Sequence, residues 1–311
     1  MKIYKDLDNI KFKKTAVTVG VFDGVHLGHQ FVLKELVKIA KEKNIESTVV
    51  TLWPHPRYVL NNDADKLQLL NTIEEKQKLI ADAGVNNLIV IPFTKEFASL
   101  SSCEFIKQYL VDKLNVSELL IGFDNNFGKN KNDEEPELEY CAEKYHFNIN
   151  RLSAKEINKL SVSSTKIRNA LSDGNIEIAN KYLEYNYSVS GNVVGGNKIG
   201  RQIGFPTANI KVNSEYKIIP ADGVYAVKIM FEEKTYHGML NIGRRPTIKT
   251  SNREKYIEVN IFDFNNDAYF KDISIEFYKK IRDEKKFSDV EMLKKQLFLD
   301  RKIIQNFFKN K

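Results

Sequence analysis

Cysteine is scarce in this chain. Only Cys103 and Cys141 occur among 311 residues, and neither sits in a metal-ligand spacing. A zinc framework and a disulfide scaffold are therefore not expected, and a reducing cytosol fits best. Long apolar runs are missing too: no stretch approaches the roughly 18 residues of a membrane-spanning helix. The opening MKIYKDLDNIKFKK is charged and lacks the apolar core of a signal peptide. No internal repeat or low-complexity segment stands out, and tryptophan occurs once, at Trp53. These absences predict a cytoplasmic protein with no membrane partner. Acidic residues are slightly outnumbered, 41 against 48 basic, for a net charge of +7. Nucleotides satisfy that mild bias as well as nucleic acid does. Hydrophobic residues at 42% and charged residues at 29% exclude disorder and coiled coil, and the length suggests two domains or one large one.

The first part alternates strand and helix signals. Apolar, β-rich runs occur at Thr15–Phe22, Ser47–Trp53, Asn87–Phe93 and Glu118–Phe123, with helical patterns at Gln30–Glu42, Thr72–Ala83 and Ser101–Leu114 between them. Thr72/Glu75 and Ser101/Glu104 carry the capping-box spacing. Strands that are apolar almost throughout, separated by helices, predict a parallel sheet covered on both faces. Ligands in such sheets bind beyond the carboxyl ends of the strands. From Tyr187 onward the texture becomes turn-bounded β-runs: Tyr187–Val194, Gly223–Met230, Lys234–Asn241, Tyr256–Phe262 and Asp272–Ile281. A helix over Ser288–Phe308 closes the chain. Sequential antiparallel strands with one terminal helix predict a small barrel. The expected domains are 1–185 and 186–311.

Two constellations carry chemistry. The first, GVFDGVHLGHQ (Gly20–Gln30), leaves the first strand through a glycine-rich turn and enters the first helix with His26 and His29 three residues apart. A helix N-terminus offers free N–H groups and the positive end of the dipole, and two histidines at that spacing share one face. Gly20, Gly24 and Gly28 are spread through the turn, and Gly28 lets a nucleotide approach the backbone. A tight turn with two surface histidines is the plainer reading, which the pairing argues against. SVSSTKIR (Ser161–Arg168) places hydroxyls, a lysine and Arg168 ahead of an apolar helical run, where they can bind phosphate oxygens; alone it would read as a helix cap.

The second constellation is GNVVGGNKIGRQIGFPTANI (Gly191–Ile210). It has neither a Walker ending nor the Rossmann glycine spacing. Gly191, Gly196, Gly200 and Gly204 frame a basic loop with Lys198 and Arg201, and freed amides can cradle phosphate. Pro206-Thr207-Ala208-Asn209 follows. Thr207 and Asn209 lie two apart, on one face of an extended segment, and their neutral oxygens suit an octahedral Mg²⁺ completed by phosphate and water. Further on, Ile257, Val259 and Ile261 alternate with Glu258, Asn260 and Phe262, so the two sets face opposite sides. Glu258 is thereby kept out of the apolar face.

On these motifs, nearly the whole chain resembles the bacterial bifunctional riboflavin kinase/FMN adenylyltransferases. The first half resembles their HxGH nucleotidylyltransferase domain, a Rossmann-like α/β fold with a parallel sheet. The second, with PTAN, DGVYAV, NIGRRPT, IEVNIFDF and IRDEKKF in the family's order, resembles their riboflavin kinase domain, a small antiparallel β-barrel with a C-terminal helix. The resemblance implies that His26 and His29 stabilise ATP phosphates, and that Ser163, Ser164, Thr165 and Arg168 hold the triphosphate. It further implies that Phe22, Asp23 and Asp124 belong to the nucleotide site, that Thr207 and Asn209 coordinate ATP-bound Mg²⁺, and that Glu258 is the base facing the ribityl hydroxyl. The implied substrates are riboflavin, FMN and ATP, with FAD as the end product. No nucleic acid partner and a monomer or weak homo-oligomer are expected. WPHP (Trp53–Pro56) also fits the family pattern. After IGFD, Asn125-Asn126 and KNKND stand where the family carries an aromatic and an arginine-glycine loop. That departure motivates a narrower alternative, kinase activity alone with an impaired or regulatory N-terminal domain. A nucleotide- or RNA-binding regulator is a third reading; the absence of a basic run interleaved with aromatics speaks against it.

Overall fold

The computed structural model describes residues 1–8, 10–60, 67–122, 134–152, 162–195, 200, 203–232, 234–244, 255–264 and 271–311. Its contacts divide into two compact units, Met1–Ser164 and Thr165–Lys311.

The first unit is built on β1 (Lys2–Tyr4), β2 (Thr15–Val19), β3 (Glu46–Trp53), β4 (Asn87–Pro92), β5 (Val116–Ile121) and β6 (Asn148–Arg151). They form one sheet in the order β1-β4-β3-β2-β5-β6, every neighbouring pair parallel. Successive side chains go to opposite faces, and both faces are dry. Ala16, Val49, Leu88 and Leu120 join one core cluster; their neighbours Val17, Val50, Ile89 and Leu119 join another. This double coverage explains the unbroken apolar runs. On the first face, α1 (Leu27–Glu42) packs Val32, Leu33, Leu36 and Ala40, and α3 (Ile73–Asp82) packs Ile80. Between them lies the short α2 (Pro56–Leu60), entered through a cis peptide at Trp53-Pro54. The other face is covered by α4 (Lys95–Ala98), α5 (Ser102–Phe105), which runs on into a π-helical segment Ile106–Val111, and α6 (Glu134–Tyr145).

Both capping boxes form. The Thr72 hydroxyl accepts from the Glu75 N–H at 3.2 Å and Glu75 accepts from the Thr72 N–H at 3.0 Å; Ser101 and Glu104 repeat the pattern. Two expectations need correction. The single helix read over Ser101–Leu114 breaks into an α-turn and a π-segment, with Asp112 N–H bonded back to Lys107 and Leu114 N–H to Tyr109. Cys103 and Cys141, in a chain for which a disulfide scaffold and an oxidising compartment are not expected, are joined in a disulfide with Cα atoms 6.3 Å apart. Packing of α5 against α6 over the same core brings together two residues that are distant in sequence. It is one bridge inside a normal hydrophobic core, so the exclusion of a disulfide-built fold stands.

β2 is central. From it the chain moves out through β3 and β4 on one side and through β5 and β6 on the other. Open α/β sheets place their ligands at such a reversal, beyond the carboxyl ends of the strands, here β2 and β5.

In the second unit, α7 (Ser164–Ser172) and α8 (Ile176–Leu183) precede the strands. The Ala221 N–H donates to the Leu171 carbonyl at 3.0 Å, the Asn180 amide donates to the Phe277 carbonyl at 2.8 Å, and the Tyr187 N–H donates to the Asn180 side-chain oxygen at 2.8 Å. Because these helices are bonded to the strands, the contact division lies ahead of the change in sequence texture at Tyr187. The strands are β7 (Ser188–Val194), β8 (Ala208–Val212), β9 (Gly223–Phe231), β10 (Lys234–Arg244), β11 (Lys255–Ile261) and β12 (Asp272–Arg282). They close into a barrel, β10-β11-β8-β7-β12-β9, with antiparallel pairing throughout. β8 is the strand the sequence reading leaves as an unassigned extended segment, and it joins β7 to β11.

The closing helix, α9 (Val290–Lys309), is capped by Asp289, whose carboxylate accepts from the Met292 N–H at 2.8 Å. Its Ile304 lies in one cluster with Phe205, Val224, Ala226, Met239 and Phe262. That cluster identifies the outer face of β9 and β10 as the one α9 covers. Arg282 of β12 grips the buried Asp300 of α9 through Nε at 2.9 Å and Nη2 at 2.8 Å.

Candidate active sites

The first site forms where β2 ends. The Gly20 N–H still bonds to the Val50 carbonyl at 3.0 Å, after which the chain turns through Phe22 (φ 51°), Gly24 (φ 86°) and Val25 (φ 34°). Positive φ at a β-branched valine is a strained conformation that surrounding structure must hold in place. Several groups hold it. The Val21 carbonyl accepts from Thr51 Oγ1 at 3.2 Å and from Lys76 Nζ at 2.7 Å. The Asp23 carboxylate accepts from the N–H groups of Leu70 (3.0 Å) and Asn71 (3.4 Å), and its carbonyl accepts from the Ser164 hydroxyl at 2.8 Å. Asp23 is thus engaged with backbone, while Phe22 is buried against the core.

His26 is the N-cap of α1, its Nδ1 accepting from the His29 N–H at 3.4 Å, and the two rings stack with centroids 3.7 Å apart. The paired geometry anticipated from the sequence is present. Gly28 lies buried against the His26 ring. Burial, then the charges of His26 and Lys76, hold His29 well below the usual histidine pKa, and its enclosed Nδ1 has no hydrogen-bond partner in the protein. Ser163 directly precedes α7 and Ser164 is its first residue; Thr165 is exposed and Arg168 part-buried, both in the second unit. Asp124 lies outside the described residues, as do Asn125, Asn126 and the KNKND segment. His55 is buried, its Nδ1 accepting from the Arg57 N–H at 3.1 Å. Trp53 packs against the core cluster of α1 and α3.

The second site lies on the outer face of the barrel. Asn209 of β8 is paired directly with Glu258 of β11, and Glu258 with Asn241 of β10. Directly opposed residues point to one side, so the three form a polar row that continues to Val224 on β9. Val224 belongs to the α9 cluster, so this row faces outward, while Ile257 and Val259 fill the interior. The strand phase read from the sequence therefore holds. Tyr256, two residues before Glu258 on the same face, donates its hydroxyl proton to Glu284 at 2.9 Å and accepts from the Asn241 amide at 3.3 Å. Burial, followed by Glu284 and Glu258, pushes the Tyr256 hydroxyl up to about 12. Asn260, the next outward residue, is buried and donates to the Pro206 carbonyl at 2.7 Å, tying the PTAN turn to β11.

Gly200 accepts from the Phe205 N–H at 2.8 Å, and a Cβ there would overlap the Phe205 carbonyl oxygen. Glycine is required for that close approach, one residue type the turn into Thr207 cannot exchange. Gly191 sits within β7, packed on the Lys211 carbonyl. Gly196, Lys198 and Arg201 lie outside the described residues. Sequence reasoning quoted the motifs holding Asn241, Asn260 and Glu284, and the β-run that begins at Tyr256, without giving these residues a role. It passed over Lys76 altogether.

Fold and sites together define a class, a parallel-sheet nucleotidyltransferase-like half joined to a β-barrel kinase-like half. A family model described as FAD synthetase matches residues 8–166, and one described as riboflavin kinase matches residues 183–308. The bifunctional riboflavin kinase/FMN adenylyltransferase of Buchnera aphidicola subsp. Schizaphis graminum is 40% identical over 313 residues, covering 99% of both chains. Its Bacillus subtilis counterpart is 40% identical over 303 residues, covering 96% of this chain and 93% of its own. This chain belongs to the bifunctional riboflavin kinase/FMN adenylyltransferase family. A crystal structure described as a macrolide-efflux protein from Streptococcus pneumoniae superposes with a TM-score of 0.86 at 31% identity, covering 98% of each chain. Among the described residues no helix is long and apolar enough to cross a membrane.

Proposed function

We propose that the chain makes flavin cofactors in two steps: residues 186–311 convert riboflavin and ATP to FMN and ADP, and residues 1–185 convert FMN and ATP to FAD and pyrophosphate. The observation that carries the reading is the cross-strand pair Asn209–Glu258, which sets the PTAN turn beside a carboxylate on the barrel's outer face. Glu258 takes the proton of the ribityl 5′-hydroxyl as that oxygen attacks the terminal phosphorus of ATP, and ADP leaves. Thr207 and Asn209 offer neutral oxygens, and among the described residues no His/Cys/Asp/Glu group forms a metal cage of its own. That donor set fits Mg²⁺, which keeps water and phosphate oxygens in its shell; Thr207 and Asn209 would hold it. Bound there, Mg²⁺ supplies charge neutralisation at the transferring phosphoryl group. Asn260 fixes the Pro206 carbonyl and so the position of Thr207.

In the other half the FMN phosphate is already a nucleophile, carrying close to two charges near neutral pH. It attacks the α-phosphorus of ATP while pyrophosphate leaves, so the protein supplies alignment and charge. His26, His29 and the N-terminal amides of α1 meet the triphosphate, with Ser163, Ser164, Thr165 and Arg168 completing its hold. Gly20, Gly24 and Gly28 allow the close approach; the motif matches assign Gly191, Gly196, Lys198, Gly200 and Arg201 to nucleotide binding by the kinase and Asp124 to nucleotide binding by the first half. The protein works in the cytoplasm on small molecules, as a monomer or weak homo-oligomer, without nucleic acid. Chromatography of products tests the reading. Riboflavin, ATP and Mg²⁺ give FMN and then FAD, and FMN with ATP gives FAD and pyrophosphate. FMN formation without FAD would leave only the kinase; neither product from folded protein would end the proposal.

A further inference from the structure

Lys76 is the fourth residue of α3, in an apolar-polar pattern where a lysine ordinarily reaches solvent. Instead it is 2% exposed, with Nζ 2.7 Å from the Val21 carbonyl oxygen and 5.6 Å from the centre of the Trp53 ring. A lysine ammonium has three protons to donate, and a buried cation is costly unless it is paired and fully hydrogen-bonded. Asp23 is the nearby carboxylate, and it already receives the Leu70 and Asn71 N–H groups. The charge of Lys76 also reaches His29, the histidine with the enclosed, unpartnered Nδ1. The strained turn Phe22–Val25 with its Asp23 carboxylate, the N-terminus of α1 and this ammonium thus converge on one place.

We infer that Lys76 is a buried cation of the nucleotide site, a positioning residue that clamps the root of the Phe22–Val25 turn through the Val21 carbonyl and offers a charge it shares with Asp23 to a phosphate of ATP or FMN. This rests on the adenylyltransferase reading for the identity of the ligands, but not for the existence of the site. Burial pulls the Lys76 ammonium down to about 8, with Asp23 opposing, so near neutral pH it is still mainly protonated. The groups bearing on it are Asp23 from the turn and His29 from α1, with His26 acting on His29 from the helix cap. While Lys76 is charged and no anion is present, protonation of His29 is disfavoured; an arriving phosphate reverses the balance and admits a second positive charge.

The sole tryptophan of the chain, Trp53, makes this testable without turnover, because its emission reports on the neighbourhood of Lys76 alone. ATP and FMN are titrated separately into full-length wild type, Lys76→Met and Lys76→Arg, while the histidine protons are followed by NMR against pH. In Lys76→Met, the phosphate ligand that contacts Lys76 binds about tenfold or more weaker, and half-protonation of His29 moves upward by about one pH unit. Which of the two ligands weakens identifies the phosphate. Lys76→Arg restores the His29 midpoint. A cooperative thermal transition followed by Trp53 emission in the same samples certifies that the first unit is folded. Unchanged binding of both ligands together with an unmoved His29 midpoint, in a Met variant with that transition intact, overturns the inference. Should the Met variant fail to fold, Lys76→Gln takes its place under the same criteria. Weakened binding in the Met variant, when the wild type itself forms no FAD, would instead refute the adenylyltransferase reading and leave the Lys76 site standing.

Discussion

The two halves handle phosphate from opposite structural starting points. In the first, the site grows out of the interior: β2 is central in a sheet covered on both faces, and the turn beyond it is held by buried groups. Its ionisable nitrogens are enclosed, and burial depresses both His29 and Lys76. In the second, the site lies on the skin of a closed barrel, where Asn209, Glu258 and Asn241 form one outward row and α9 covers the neighbouring apolar patch. The sheet half tunes charge by enclosing it. The barrel half aligns side chains by strand register and leaves Glu258, the proposed base, part-exposed. Alignment by register suits a reaction that needs a proton taken from a hydroxyl; enclosed positive charge suits one whose nucleophile is already an anion.

The sharpest way to break this contrast is to remove one chemical group from each half. Glu258→Gln keeps the shape of the row and removes the proposed base, so FMN formation is expected to fall by about 10²- to 10⁴-fold while supplied FMN is still converted to FAD. His29→Ala gives the mirror result, with pyrophosphate release lost and the kinase rate retained. Steady-state assays of both reactions on each variant decide the matter; loss of both activities in one folded variant would deny that the halves work separately. Next in size is Asp300→Ala. It strands Arg282 without its carboxylate, and breaking a largely buried pair costs about 3–5 kcal/mol. Thermal unfolding should report that loss, and the kinase should fail at a lower temperature than the adenylyltransferase. The smallest effect belongs to Thr72→Ala. Removing the cap of α3 costs about 1 kcal/mol, visible in urea unfolding, with kinase turnover unchanged.

Much of this was legible from local signals. The capping boxes at Thr72 and Ser101 depend only on residues within one turn, and both form. The strand phase around Glu258 is likewise a period-two pattern needing no distant partner. What stayed hidden depends on long-range closure. Asn209 meets Glu258 only because β8 is paired with β11, and β8 follows glycines and a proline that read as loop. The pairing of Cys103 with Cys141 requires α5 to pack against α6. Lys76 was invisible for a subtler reason: IEEKQKLI reads as an amphipathic helix with its lysines in water, and nothing local says that this lysine turns inward to the carbonyl of Val21. Edge strands β1 and β6 escaped notice because three or four residues are too few for a pattern to register.

The closed ring of strands has a consequence for how the molecule behaves when crowded. A continuous cylinder offers no open rim of unpaired amides on which another chain could lengthen it, so its resistance to edge-on polymerisation is built into its connectivity. The sheet half has two open margins, and its protection is economy of length: the outermost strands, Lys2–Tyr4 and Asn148–Arg151, are too brief to template a stranger.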